Sequence, residues 1–145
     1  MVRAFVLAFA CLALVPGLKG QTHHTGYAKI QDRMVYYEEA GQGKALLLIH
    51  GFSLDSRMWD RQFDTLARRY HVVRYDMSGF GHSTVPETLI SASDEIAALL
   101  KQLNIKKATI LGMSLGGSVA VRFAIDHPEM VEGLVTVGSM LEGFP

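Results

Sequence analysis

The sequence predicts an α/β domain: a mostly parallel sheet flanked by helices, entered through an N-terminal β-hairpin. Three observations carry this. Short apolar runs bounded by glycine and polar clusters recur along the chain, as ALLLIH (45–50), HVVRYD (71–76), ATILGM (108–113) and GLVTVG (133–138). Between them lie segments whose apolar residues return every three or four positions. Strands alternating with amphipathic helices build a parallel sheet covered on both faces, with right-handed crossovers. The 145 residues, 49% of them apolar, suit one globular domain. With 14 basic and 14 acidic residues and no basic run, nucleic acid is disfavoured as a partner.

The first element, residues 1–20, reads as a secretory signal peptide. Arg3 supplies a positive start, Ala4 to Val15 an apolar stretch, and Pro16-Gly17 a break before Lys19. Twelve apolar residues fall short of the roughly 20 that span a bilayer, so no stable membrane span is expected once the leader is removed. The mature protein is then secreted or periplasmic, with cleavage after Gly17 or Gly20. An uncleaved leader that anchors the protein is the alternative. Cys11 is the only cysteine and lies inside this segment. The mature chain therefore has neither disulfide nor cysteine-based metal site. Lipid attachment at Cys11 is a further alternative, with Phe9 bulky for a lipobox.

From residue 21 the chain reads as one unit. YAKI (27–30) and MVYYEEA (34–40) are the strands of the hairpin, separated by Gln31-Asp32-Arg33. ALLLIH follows Gly41-Gln42-Gly43 as a strand buried on both faces. Ser56 to Tyr70 is read as an amphipathic helix whose stripe is Met58, Trp59, Phe63, Leu66, Ala67 and Tyr70. HVVRYD is the next strand, and MSGFGHSTVPET (77–88) a long loop shaped by its glycines and proline. Ser91 to Leu103 is a helix with a capping-box-like start at Ser91 and Asp94 and a stripe of Ile96, Leu99, Leu100 and Leu103. ATILGM is a strand, Gly116 to His127 a helix with Val119, Ala120, Phe123 and Ala124 inward, and GLVTVG the last strand. Trp59, Phe63 and the methionines are read as core.

The candidate chemistry sits in ILGMSLGG (110–117). Gly112-Met113-Ser114-Leu115-Gly116 is a G-x-S-x-G turn between a strand and a helix, the context this motif requires. A serine on so sharp a turn is held in a strained backbone conformation, and Gly112, Gly116 and Gly117 remove the side chains that would keep strand and helix apart. The helix behind Ser114 points free N–H groups toward developing negative charge. His50 reads as a support for the turn after its strand. Asp76 reads as ordering its loop through side-chain to backbone hydrogen bonds.

Three segments together, His50-Gly51-Phe52, Asp76 to Ser83 and Gly112 to Gly117, resemble the α/β-hydrolase family in order and in placement at strand ends. The resemblance covers nearly everything after residue 26. It implies that Ser114 is the nucleophile of a serine hydrolase acting on small ester, amide or related carbonyl substrates through an acyl-enzyme. It also implies an oxyanion hole made of the backbone N–H groups of Phe52 and Leu115, and no cofactor or metal. In this family the order is Ser, then Asp or Glu, then His. Only His127 follows Ser114, at the far end of its helix, roughly 20 Å away at ~1.5 Å rise per residue. Val137-Gly138-Ser139, where some relatives carry the acid, hold no carboxylate, and Glu142 comes too late. No triad acid or base is therefore assigned within the chain.

The chain resembles the N-terminal half of the family fold, an incomplete α/β-hydrolase fold. A truncated gene product or partial reading frame is expected, with a natural short form as the alternative. GLVTVG would then be an open sheet edge through which self-association can occur. A non-catalytic remnant, or an interaction module keeping the first half of the fold, is the alternative function.

Overall fold

The structure is a computed structural model that describes residues 22–88 and 90–139. The leader and Cys11, and Glu142 at the other end, lie outside the described residues. Six strands form one sheet: β1 (His23–Ile30), β2 (Arg33–Ala40), β3 (Ala45–Ile49), β4 (His71–Tyr75), β5 (Ala108–Met113) and β6 (Val131–Val137). Their order is β1-β2-β4-β3-β5-β6. The hairpin β1-β2 and the pair β2-β4 are antiparallel, and β4, β3, β5 and β6 run parallel. The helices are α1 (Asp60–Ala67), α2 (Ala92–Gln102) and α3 (Leu115–Asp126).

Alternation along β3 explains why ALLLI is apolar throughout. Leu46 and Leu48 face a cluster with Val72, Trp59, Phe63 and Ala67, which seats α1 on one side of the sheet. Leu47 and Ile49 face the opposite cluster, with Val73, Tyr75 and Ile110 from neighbouring strands, Ile96, Leu99 and Leu100 from α2, and Ala120 and Phe123 from α3. Each such side chain contributes about 1.5–3 kcal/mol when removed from water. The two clusters place helices on both faces, as the sequence pattern requires.

Several boundaries move. The expected helix from Ser56 to Tyr70 is a 3-10 turn (Ser56–Trp59) followed by α1, which ends at Ala67. Asp55 initiates the tight turn by accepting the Arg57 N–H, and Tyr70 is exposed rather than part of the stripe. β1 begins at His23, four residues earlier than expected, because His23 to Gly26 pair with Tyr37 to Ala40. Arg33, expected in the hairpin loop, is the first residue of β2 and pairs with Ile30. Met34 is exposed, so it leaves the core list, whereas Met77 and Met130 are buried. α3 starts at Leu115 and β6 at Val131.

α2 follows the expected form: Ser91 is its N-cap, its hydroxyl accepting the Asp94 N–H at 3.0 Å. β6 stands at the end of the sheet among the described residues, with Leu134, Val135 and Val137 exposed.

Candidate active site

In a parallel sheet the crevice lies beyond the carboxyl ends of the strands, where the chain order switches direction. Here β3 has β4 on one side and β5 on the other. The loops after β3, β4 and β5 therefore gather at one rim, and they contain His50-Gly51-Phe52, Asp76 to Ser83 and Ser114.

Ser114 joins β5 to α3 with φ 52° and ψ −119°, a conformation that favours glycine. Its N–H donates to the Val137 carbonyl at 2.9 Å, which ties the turn to the end of β6. Its carbonyl accepts from Gly117 and Ser118, while its side chain makes no capping bond and is exposed. The glycines have identifiable neighbours. A Cβ on Gly112 would overlap the Gly116 carbonyl and lie 2.6 Å from Gly117 N; one on Gly116 would overlap the carbonyl ends of Ile49 and His50. Close approach of α3 to both β5 and β3 thus depends on Gly112 and Gly116.

Leu115 supplies the first N–H of α3, which has no intrahelical acceptor. Phe52 lies on the loop after β3, and that loop touches the elbow: a Cβ on Gly51 would stand 3.3 Å from the Met113 side chain. The Phe52 ring is exposed and meets Phe80 at 6.0 Å, and Phe80 in turn meets His50 at 5.3 Å.

His50 is fully buried with both ring nitrogens engaged. The Met77 N–H donates to Nε2 at 3.0 Å, so the proton resides on Nδ1, which donates to the Gly51 carbonyl at 2.8 Å. It joins the loops after β3 and β4, the structural part expected of it. Asp76, also fully buried, accepts from the Ser56 N–H on one oxygen and the His82 N–H on the other, each at 2.7 Å. A Cβ on Gly81 would strike that carboxylate. Nearby, the Arg57 guanidinium holds the Asp55 carboxyl down to about 2. Burial, reinforced by Glu38, pushes the Tyr36 phenol up to about 12.

No histidine among the described residues is placed to act on Ser114. His82 contacts Asp76 and lies tilted against the ring of Tyr36 of β2 at 4.7 Å, three strand intervals from β5, roughly 14 Å. His71 pairs with Ala45 at the opposite end of the sheet, and His24 joins it on Glu39. His23 binds Asp64. His127 ends α3, as expected, with Asp94 and Glu129 beside it.

Among the described residues, depressions on the α2 face include two of different size. The larger, about 440 Å³, is lined by Lys29, Gln31, Asp94 and Lys101 and shares no wall with the elbow. The smaller, about 230 Å³, is walled by Leu115 and Val119 of α3, Met77 and Phe80 of the loop, and Arg33 and Glu95 at depth. Sequence reasoning missed this pair. Arg33 looked like a turn residue, and its partners Thr88 and Glu95 are 55 or more positions away.

The family model for the alpha/beta hydrolase fold matches residues 44–145. A pimeloyl-[acyl-carrier protein] methyl ester esterase of Aliivibrio fischeri is 37% identical over 105 residues, covering 72% of this chain and 40% of that protein. Among solved structures, Est816, described as an N-acyl homoserine lactone degrading enzyme, superposes with a TM-score of 0.76 at 30% identity, covering 82% of this chain and 48% of the other. A bacterial membrane phospholipase A superposes with a TM-score of 0.76 at 31% identity, covering 83% and 40%. The chain spans about 40% of the length of the curated relatives it matches.

Proposed function

The chain belongs to the alpha/beta hydrolase fold family, and on that premise we propose that it carries the nucleophile and oxyanion hole of a serine hydrolase for small ester, amide or related carbonyl substrates. The observation that supports this best is the backbone of Ser114. A non-glycine residue at φ 52° and ψ −119° is conformationally unfavourable, and such strain persists where surrounding structure enforces it. Here it leaves the hydroxyl exposed at the crevice, directly before a helix N-terminus.

In this reading Ser114 Oγ attacks the carbonyl carbon, and the N–H groups of Leu115 and Phe52 receive the developing oxyanion. Donors already fixed by backbone geometry need no reorganisation during the step. The proton must pass to a base, since an unassisted serine hydroxyl is a weak nucleophile. None of the described histidines can take it, so we assign the base, and the acid that orients it, to residues outside those described. The names of the relatives, an ester esterase and a lactone-degrading enzyme, support carbonyl substrates as the class. Residues 1–20 support export as the setting; an exported protein that retains Met1 by mass would sink the cleavage proposal.

The test is labelling by a fluorophosphonate with imidazole added as a base in trans. The folded wild type is expected to be labelled in proportion to imidazole, and Ser114→Ala to remain unlabelled. Equal labelling of both, or none in folded wild type at high imidazole, overturns the assignment. A second reading, an interaction module, draws on the exposed β6 with Leu134, Val135 and Val137. It predicts concentration-dependent association by sedimentation, abolished by Val135→Lys.

A further inference from the structure

The end of the sheet opposite the crevice carries cations that the proposed reaction does not use. Ala45 of β3 pairs with His71 of β4 on one side and with Ala108 of β5 on the other. The residues that precede these three strands therefore reach one level: Arg68, Arg69 and Tyr70 before β4, Lys44 before β3, and Lys106 and Lys107 before β5. All of them are exposed. The backbone beneath them is fixed. The His71 N–H donates to the Lys44 carbonyl at 3.0 Å, and a Cβ on Gly41 would overlap the carbonyl oxygens of Ala67 and Tyr70.

Lys44 is paired with Glu132. Among the described residues, Arg68, Arg69, Lys106 and Lys107 make no ion pair. Nearby carboxylates are already taken: Glu39 lies between His24 and His71, Asp64 meets His23, and Asp126 holds Arg122. The chain has 14 basic and 14 acidic residues, so this excess is a local asymmetry of a neutral molecule. Tyr70 adds an exposed ring between the cations, and such amphipathic rings settle at the headgroup level of a bilayer. β1 begins at this end too, with His23 opposite Ala40 and Ala40 opposite Val72. The apolar stretch of the sequence, residues 4–15, thus precedes the sheet on its basic side, and its insertion into a bilayer would bring this end to the headgroups.

We infer that this rim docks the protein on an anionic lipid surface and holds it with the crevice turned to the water. Clustered Lys and Arg are drawn to phospholipid phosphates, and an apolar segment beside a basic patch is the pair of signals that gives stable membrane attachment. Nucleic acid would answer the charge but not the apolar stretch beside it. The rim and the crevice lie at opposite ends of β3, whose five residues span roughly 17 Å at about 3.3 Å each. That exceeds the Debye length of about 8–10 Å, so the crevice stands outside the field of the surface and takes its substrate from solution.

Sedimentation of the full chain with vesicles tests this, comparing phosphatidylcholine alone with phosphatidylcholine containing phosphatidylglycerol. The ratio of the two partition coefficients isolates charge from any insertion of residues 1–20, which acts on both vesicles. The wild type is expected to prefer the anionic vesicles by about a hundredfold, at roughly fivefold for each unpaired cation less some loss to geometry. That preference should collapse at about 1 M salt, where the Debye length is about 3 Å. The double variant Lys106→Gln/Lys107→Gln should lower it by about 25-fold, whereas Lys29→Gln, at the far end of β1, should leave it within about twofold. On anionic vesicles the emission of Tyr70→Trp should move to the blue and that of Phe52→Trp should not. Equal partitioning on the two vesicles, equal effects of Lys29→Gln and the double variant, or a blue shift at Phe52→Trp alone overturns the inference. So does tighter binding to duplex DNA than to anionic vesicles at equal phosphate, which would reassign the rim to nucleic acid.

Discussion

Replacing Ser114 by glycine and by alanine separates backbone strain from side-chain chemistry. At φ 52° and ψ −119° a side chain costs on the order of 1–3 kcal/mol, and glycine escapes that penalty. Glycine in turn gives up about 0.5–1 kcal/mol through the greater freedom of its unfolded state. Ser114→Gly is therefore expected to stabilise the fold by roughly 0.5–2 kcal/mol. Ser114→Ala keeps the Cβ, and with it the strain. The hydroxyl makes no capping bond, so its loss should change stability by less than about 0.5 kcal/mol. Urea unfolding followed by circular dichroism reads the difference: for a slope on the order of 1.5 kcal/mol/M, the glycine midpoint rises by roughly 0.3–1.3 M. A glycine variant no more stable than the alanine one would refute the claim that the elbow stores strain.

Other perturbations follow from the same neighbourhood. Gly116→Ala drives a methyl into the carbonyl ends of Ile49 and His50 and should destabilise by about 2–3 kcal/mol, measured by denaturation. Asp76→Asn keeps one acceptor oxygen where two are used. It should cost about 1–3 kcal/mol and raise amide exchange at Ser56 or His82. Asp55 has a folded pKa of about 2 against an ordinary 3.8. A depressed carboxylate contributes stability that is fully present above the unfolded value and lost as pH falls through the folded one. Unfolding midpoints should therefore decline from about pH 4 to pH 2, and Asp55→Asn should flatten that part of the profile.

What the sequence made legible is local. The strand Ala108–Met113 and the Ser91 cap of α2 appear as predicted, because a continuous apolar run and a capping residue act within a few positions. The elbow was legible for the same reason: its glycines answer to backbone only a few residues away, or to the adjoining strand end. Long-range polar partnerships were not. Arg74 sits in a strand that reads as apolar, yet it is buried and paired with Glu38 and Asp60 while lying over the Phe63 ring at 4.4 Å. Arg33 is buried among groups from two distant segments. Neither pairing leaves a periodicity. The stripe that extended to Tyr70 failed where a capped 3-10 turn shifted the helix and Ala67 ended it.

His50 has a consequence for motion. Its ring clasps the Gly51 carbonyl on one side and the Met77 amide on the other, and it is fully enclosed. Neither loop can open without breaking a bond the other shares, so the two behave as one cooperative unit. The loop that carries Phe52 is thereby tied to Met77, which is buried in the core cluster with Tyr75 and Ile96.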